Sequence, residues 1–193
     1  MNKITVLVEG YARPLPNGGW QASSTTTLVT SDSGLKIIVD PGCNQSLLLQ
    51  KLTEKNLAVE DINLVFLTHY HPDHALLAHL FAKAKLSDGQ TIYSDDLEEP
   101  YSDELPGTGL RVVYTPGHAA EHSSLLVSTE EWGKVAVAGD VFWWTTEEKQ
   151  EVRIDKPDEL ALDMEFLKES RKKLLKLADW IIPGHGKMWK VER

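Results

Sequence analysis

The chain has 193 residues, 41% of them hydrophobic and 25% charged, with a formal net charge of −9. That length supports one substantial core, and the composition is that of a globular protein; the acidic balance argues against a dedicated nucleic-acid surface, which relies on clustered Lys and Arg. No apolar run approaches the length needed to span a bilayer, and the single cysteine, Cys43, rules out an internal disulfide and fits a reducing cytoplasm.

Ile4 to Val8 reads as a first strand, cut off by Glu9, and not as a signal peptide. Gly10 to Trp20 has two prolines and three glycines, which is loop or hairpin chemistry with exposed aromatics. Gln21 to Val29 is predicted as one strand and Leu35 to Val39 as the next, stopped sharply by Asp40-Pro41-Gly42. Asn44 or Ser46 can cap a helix in which Leu48, Leu49 and Leu52 recur at helical spacing. Leu64 to Leu67 is a short apolar run that reads as a buried strand. Ala75 to Ala78 opens a helix, and strands follow at Thr91–Tyr93, Leu110–Tyr114, Ser123–Val127 and Val135–Ala138. The acid-rich segment from Asp95 to Glu104 reads as a loop. Leu160 to Ala178 is the best helical pattern, with Pro157 near its start. Its Arg171, Lys172, Lys173 and Lys176 read first as a solvated face, with a basic surface for an anionic partner as the alternative. Trp180-Ile181-Ile182 is the last strand. There is no repeat or linker, so residues 1–193 are expected to form one domain of mixed sheets covered by helices.

Directly after the Leu64–Leu67 strand comes Thr68-His69-Tyr70-His71-Pro72-Asp73-His74. Ligands of open α/β sheets sit at such strand outlets. His69 and His71 are two apart, so both imidazoles can point the same way from extended backbone. Three other short motifs, ending in His118, Asp140 and His185, share one layout: an apolar run, glycine, then a ligand-type side chain. Imidazole with carboxylate suits zinc or another borderline divalent ion. Two ions account for the count, with His69, His71 and His118 on one, Asp73, His74 and His185 on the other, and Asp140 bridging them together with a hydroxide.

These residues resemble the metallo-β-lactamase superfamily. Its signature His-x-His-x-Asp-His is matched by His69 to His74, and its later ligands fall on His118, Asp140 and His185. The resemblance covers essentially the whole chain and implies an α+β fold, a four-layer αββα sandwich with the metals between the sheets' edges. Asp40 matches an aspartate that supports the site without binding metal. The helical substrate domain of two-domain glyoxalase II is not expected within these 193 residues. Di-iron oxygen-reducing relatives carry a carboxylate where His71 stands, which argues against that chemistry.

The expected activity is that of a metal-dependent hydrolase with two zinc ions, iron and manganese being the alternatives. A metal-bridging hydroxide would attack a carbonyl or phosphoryl centre of a small thioester, ester or phosphodiester. Asp73 is expected to orient the attacking water as well as to bind metal. His122 is read first as structural, with support of the site or contact with substrate as the alternatives, and His79 as a packing or surface residue. Tyr11 and Trp20 in the early loop, and Trp143 and Trp144 after Asp140, are candidates for a substrate wall. The competing readings are a ribonuclease-like phosphodiesterase, a mononuclear iron dioxygenase for thiols or persulfides, and a metal-binding scaffold without catalysis. A small-molecule substrate is expected, with no membrane partner; nucleic acid is not favoured by charge, and a homodimer is compatible with the sequence.

Overall fold

The structure is a computed structural model and describes residues 1–192. In chain order its elements are β1 (Lys3–Val8), β2 (Tyr11–Pro14), β3 (Trp20–Ser23), β4 (Thr26–Thr30), β5 (Lys36–Val39), α1 (Gln45–Glu54), β6 (Leu64–Phe66), α2 (Pro72–Ala75), β7 (Lys85–Ser87), β8 (Thr91–Ser94), β9 (Leu97–Pro100), β10 (Glu104–Leu105), β11 (Leu110–Tyr114), β12 (Ser123–Thr129), β13 (Gly133–Trp143), α3 (Met164–Leu177), β14 (Trp180–His185) and β15 (Trp189–Lys190). One sheet runs β1-β4-β5-β6-β7-β8-β9 and a second runs β10 to β15 in sequence, while β2 and β3 pair as a separate hairpin. Pairing is antiparallel except at β5-β6, β6-β7 and β13-β14.

Strand alternation builds three cores from these sheets. Ile37, Val39, Leu64 and Phe66 point one way and meet Leu125, Val127, Val135, Val137 and Ile182 of the second sheet. The residues between them point the other way: Ile38 and Val65 pack under Leu48 and Leu52 of α1. Likewise Leu126, Ala136 and Ile181 pack under Leu167 and Leu174 of α3. Period-two strands buried on both faces therefore give helix, sheet, sheet, helix in that order, the four-layer αββα arrangement expected. No helix among the described residues is long and apolar enough to cross a membrane.

The structure corrects several sequence-based boundaries. The Gln21–Val29 strand is two strands, because Ser24 and Thr25 turn their amides to the carbonyls of Asp73 and Gly184. Asn44, not Ser46, caps α1, its Oδ1 accepting from Leu47, and Leu49 is exposed. The helix after the central motif starts earlier, at Pro72, and continues only as a 3-10 turn over Leu76–Leu80. The acid-rich loop includes an exposed edge strand, β9, whose charges face solvent. The Val135–Ala138 strand runs on to Trp143. Helix α3 begins at Met164 because Asp163 accepts from the amides of Glu165 and Phe166, so Pro157 lies outside it. Arg171 is not part of a basic face. It is buried, and its guanidinium donates to the carbonyls of Val141, Ile154 and Lys156.

Candidate metal centre

The parallel pairs β5-β6 and β13-β14 direct their C-terminal ends to one place. Asp40 follows β5 and Thr68-His69 follow β6, while β13 and β14 deliver Asp140 and His185. Asp140 does not lie at a strand outlet as expected. It sits inside β13, where the register with β14 shifts on both sides of Gly139, and this irregularity turns its carboxylate toward the centre. Glycine is required on both strands here. Gly139 has φ +53°, and a Cβ on Gly184 would land on Asp140 Oδ1.

The seven ligand-type side chains converge as two groups, His69, His71, His118 and Asp140 in one and Asp73, His74 and His185 in the other, with the ligand atoms of each group within 4.8 Å of one another. In the first, His118 Nε2 lies 3.0 Å from His71 Nδ1. Asp140 Oδ2 faces this group, 3.4 Å from His118 Nε2 and 4.0 Å from His69 Nε2. Its other oxygen, Oδ1, faces the second group, 3.3 Å from His74 Nε2 and 3.7 Å from His185 Nε2. Asp73 Oδ2 closes that group, 3.2 Å from His185 Nε2.

Four of the five histidines are fixed through their outer nitrogen. Asp40 Oδ2 accepts from His74 Nδ1 at 2.8 Å and from the Thr68 hydroxyl at 2.7 Å, and Thr68 Oγ1 in turn lies 3.0 Å from His69 Nδ1. Asp40 itself has φ 48°, backbone strain of the kind held at functional sites. His185 Nδ1 meets the carbonyl of Tyr11 at 3.1 Å. His118 Nδ1 donates to Asp158 Oδ2 at 2.8 Å, and the same oxygen accepts from Trp143 Nε1 at 3.0 Å. No spacing or hydropathy signal in the sequence marks Asp158, Thr68 or Tyr11 for these tasks. His122 is buried behind His69, with ring centroids 5.1 Å apart, and its Nδ1 pairs with Thr115 Oγ1. It therefore stands behind the ligand candidates and does not line the cavity. His79 is exposed.

The electrostatics follow from burial and the two central carboxylates. Burial holds His69 well below the ordinary histidine value and lowers His71. It pushes His122 down to about 3. For His74, burial is outweighed by Asp140 and Asp40, which hold it well above the ordinary value. His118 is raised against burial by its bond to Asp158. Asp140 is held well below the carboxylate range, burial being outweighed by His74 and His185. Nε2 of His69, Nε2 of His74 and Oδ1 of Asp140 are buried without any hydrogen-bond partner. Each such atom costs about 1–3 kcal/mol, and three of them aimed at one centre fit lone pairs held for cations. The donor set of imidazole and carboxylate is that of zinc or another borderline divalent ion.

A cavity of about 450 Å³ opens onto this centre. It is lined by His71, Asp73, Asp140 and His185 at its inner end and by Ala12, Trp20, Ala22, Cys43, Pro72, Leu76, Trp143 and Leu160 around its walls. Larger hollows of about 880 and 610 Å³ elsewhere touch none of the seven ligand-type side chains. Of the four expected wall residues, Trp20 and Trp143 line the cavity and Tyr11 and Trp144 do not. Strand alternation sends Trp144 to the opposite side from Trp143, into the outer core against Phe142 and Trp189. Tyr11 turns its hydroxyl to Asn44 and leaves the wall to Ala12, its neighbour on β2.

Comparison with known proteins agrees with this geometry. Residues 19–86 match the metallo-beta-lactamase superfamily. The chain is 34% identical to metallo-beta-lactamase domain-containing protein 1 of Xenopus laevis, over 98% of this chain and 82% of the relative. It superposes on a Thermotoga maritima crystal structure with a TM-score of 0.73 at 21% identity, covering 98% of this chain and 99% of the other. AidC, a dizinc quorum-quenching lactonase, gives 0.64 at 18% identity, covering 86% and 73%. A further neighbour in a di-iron-bound form gives 0.60 at 24% identity, covering 87% and 90%. Sequence identity over nearly the whole chain, the layered fold and the converging histidines lead to one assignment: the chain belongs to the metallo-β-lactamase superfamily.

Proposed function

We propose that the chain is a hydrolase of carbonyl substrates that works with two zinc ions. The observation that carries this reading is the placement of Asp140, whose two oxygens face two separate groups of ligands 3.3–3.4 Å from the nearest histidine nitrogens. His69, His71 and His118 would hold one ion, Asp73, His74 and His185 the other, and Asp140 both. Such a pair supplies Lewis acidity toward the carbonyl oxygen and a hydroxide nucleophile near neutral pH, by lowering the pKa of water from about 15.7 to about 7.

The chain's own groups make that possible. Asp40, Asp158 and the Tyr11 carbonyl accept the outer N–H of His74, His118 and His185, leaving each Nε2 lone pair directed inward. Asp73 is the half-buried carboxylate at the cavity floor, placed to accept a hydrogen bond from an attacking water and to hold it beneath the electrophile. The dizinc centre of the lactonase neighbour supports zinc, and the di-iron neighbour makes iron the metal to test against it.

The test is metal content of protein purified without added zinc, combined with turnover of thioester, ester, lactone and phosphodiester substrates. Two zinc ions per chain and carbonyl turnover that is lost in Asp140→Ala are expected. One iron per chain with oxygen-dependent turnover of thiols, or no turnover with any metal, would overturn the reading.

A further inference from the structure

The walls of the cavity carry a second message, independent of the ligands beneath it. Three large apolar side chains from three different segments stand around its mouth largely in solvent: Trp20 is 55% exposed, Leu76 56% and Leu160 58%. Ala12, Ala22 and Trp143 continue the apolar surface inward. Large exposed apolar groups gathered round one opening are unfavourable in water unless something covers them. Among the described residues, no Lys or Arg lines this cavity. Lys156 stands against the ring of Trp143. Its Nζ lies 4.8 Å from that ring's centroid and donates to the Trp143 carbonyl, while Glu148 neutralises it. Arg13 on the hairpin is turned to Gln21.

We propose that this cavity binds an apolar acyl chain, so that the substrate is an uncharged ester or thioester of a medium-length carboxylic acid. This rests on the hydrolase reading above and narrows it. Each phosphodiester unit beyond the reacting one would bring a negative charge to a wall that offers it no partner, whereas each methylene of an acyl chain would leave water against Trp20, Leu76, Leu160 and Trp143. The reaction consumes one water. Its oxygen bonds to the acyl carbon, the carbon–oxygen or carbon–sulfur bond breaks, and the leaving alkoxide or thiolate takes one of the water's protons. The products are a carboxylate, an alcohol or thiol, and one proton.

Two measurements on the zinc-loaded protein separate this inference from the reading it rests on. The first is calorimetric binding of butyrate, hexanoate and octanoate, which needs no turnover. Affinity is expected to rise about fourfold per methylene, and the increment is expected to shrink in Trp20→Ser and Leu160→Ser, both exposed positions that leave the core intact. The second is hydrolysis of the p-nitrophenyl esters of acetate, butyrate, hexanoate and octanoate beside bis(p-nitrophenyl) phosphate and an RNA oligonucleotide. The expected result is a KM that falls with acyl length. Chain-length-dependent binding of the carboxylates without hydrolysis of any ester would uphold the acyl site and overturn the hydrolase reading. Turnover or binding that is indifferent to chain length, or phosphodiesters cleaved ahead of esters, would overturn the acyl site while leaving a hydrolase.

Discussion

Asp158 Oδ2 accepts the Nδ1 hydrogen of His118 at 2.8 Å, across forty residues of sequence. The same oxygen takes the indole N–H of Trp143, so one buried carboxylate sets the direction of a metal-ligand candidate and of a cavity wall together. The loop that carries it is anchored by Arg171, whose guanidinium holds the carbonyls of Ile154 and Lys156.

Asp158→Asn keeps the shape of this group and removes its charge. Zinc affinity, read by competition with a chromophoric chelator, is expected to fall about 10–100-fold, the range for losing a partner behind a ligand histidine. Trp143→Phe removes only the indole bond and should leave zinc affinity close to that of the unaltered protein. Equal losses in both variants would show that the wall, not the histidine, is what Asp158 supports.

The same pair predicts a pH signature in metal-free protein. Asp158 is lowered, burial being outweighed by His118, and His118 is raised, burial being outweighed by Asp158. A lowered carboxylate stabilises above its unfolded value of about 3.9 and loses that contribution as pH falls through its folded value. A raised histidine stabilises below about 6.5 and loses that contribution as pH rises through its folded value. The difference in melting temperature between unaltered protein and Asp158→Asn is therefore expected to be widest between about pH 4 and 6.5. A difference that is flat from pH 4 to 9 would refute the coupling.

The convergence of the ligand candidates was legible in the sequence because their spacing and flanking glycines are local. His69 to His74 lie within six residues, and Gly139 and Gly184 stand directly before Asp140 and His185. Sheets covered by helices were legible from the order of apolar runs and helical patterns, while the four-layer arrangement came from the resemblance carried by the histidine motifs. Asp158 was not legible, since a buried acceptor in an acidic loop differs from a solvated one only by what folds against it. Nor was the sorting of the aromatics. Which of Trp143 and Trp144 faces the cavity depends on strand parity after the register shifts around Gly139, and those shifts depend on pairing with β14. Arg171 looked like surface charge because a helical stripe does not reveal which carbonyls lie beneath it.

Gly184 leaves the space that Asp140 Oδ1 occupies. Gly184→Ala should push the Asp140 carboxylate out of line by about the width of a methyl group. A misplacement of roughly 1 Å can cost on the order of 10²-fold in rate, so ester hydrolysis is expected to fall by that order in a protein that still folds, as checked by circular dichroism. Unchanged kcat would mean that the carboxylate does not need that position.

Asp40 combines a left-handed backbone, φ 48°, with three bonds through its side chain, from the Thr68 amide, the Thr68 hydroxyl and His74. Asparagine tolerates this backbone and alanine does not. Denaturant unfolding of metal-free protein should show Asp40→Ala less stable than Asp40→Asn by at least about 1 kcal/mol, with both weakened in zinc uptake. Equal stability of the two variants would argue that the strain is not borne at this residue.

The central claim is that Asp140 joins two cations at one centre. X-ray absorption at the zinc edge of the loaded protein tests it directly. A metal–metal scattering peak at about 3.5–4 Å, present in the unaltered protein and lost in Asp140→Ala, is the predicted result. A spectrum of isolated zinc with histidine neighbours and no metal–metal peak, at full zinc loading, would contradict it.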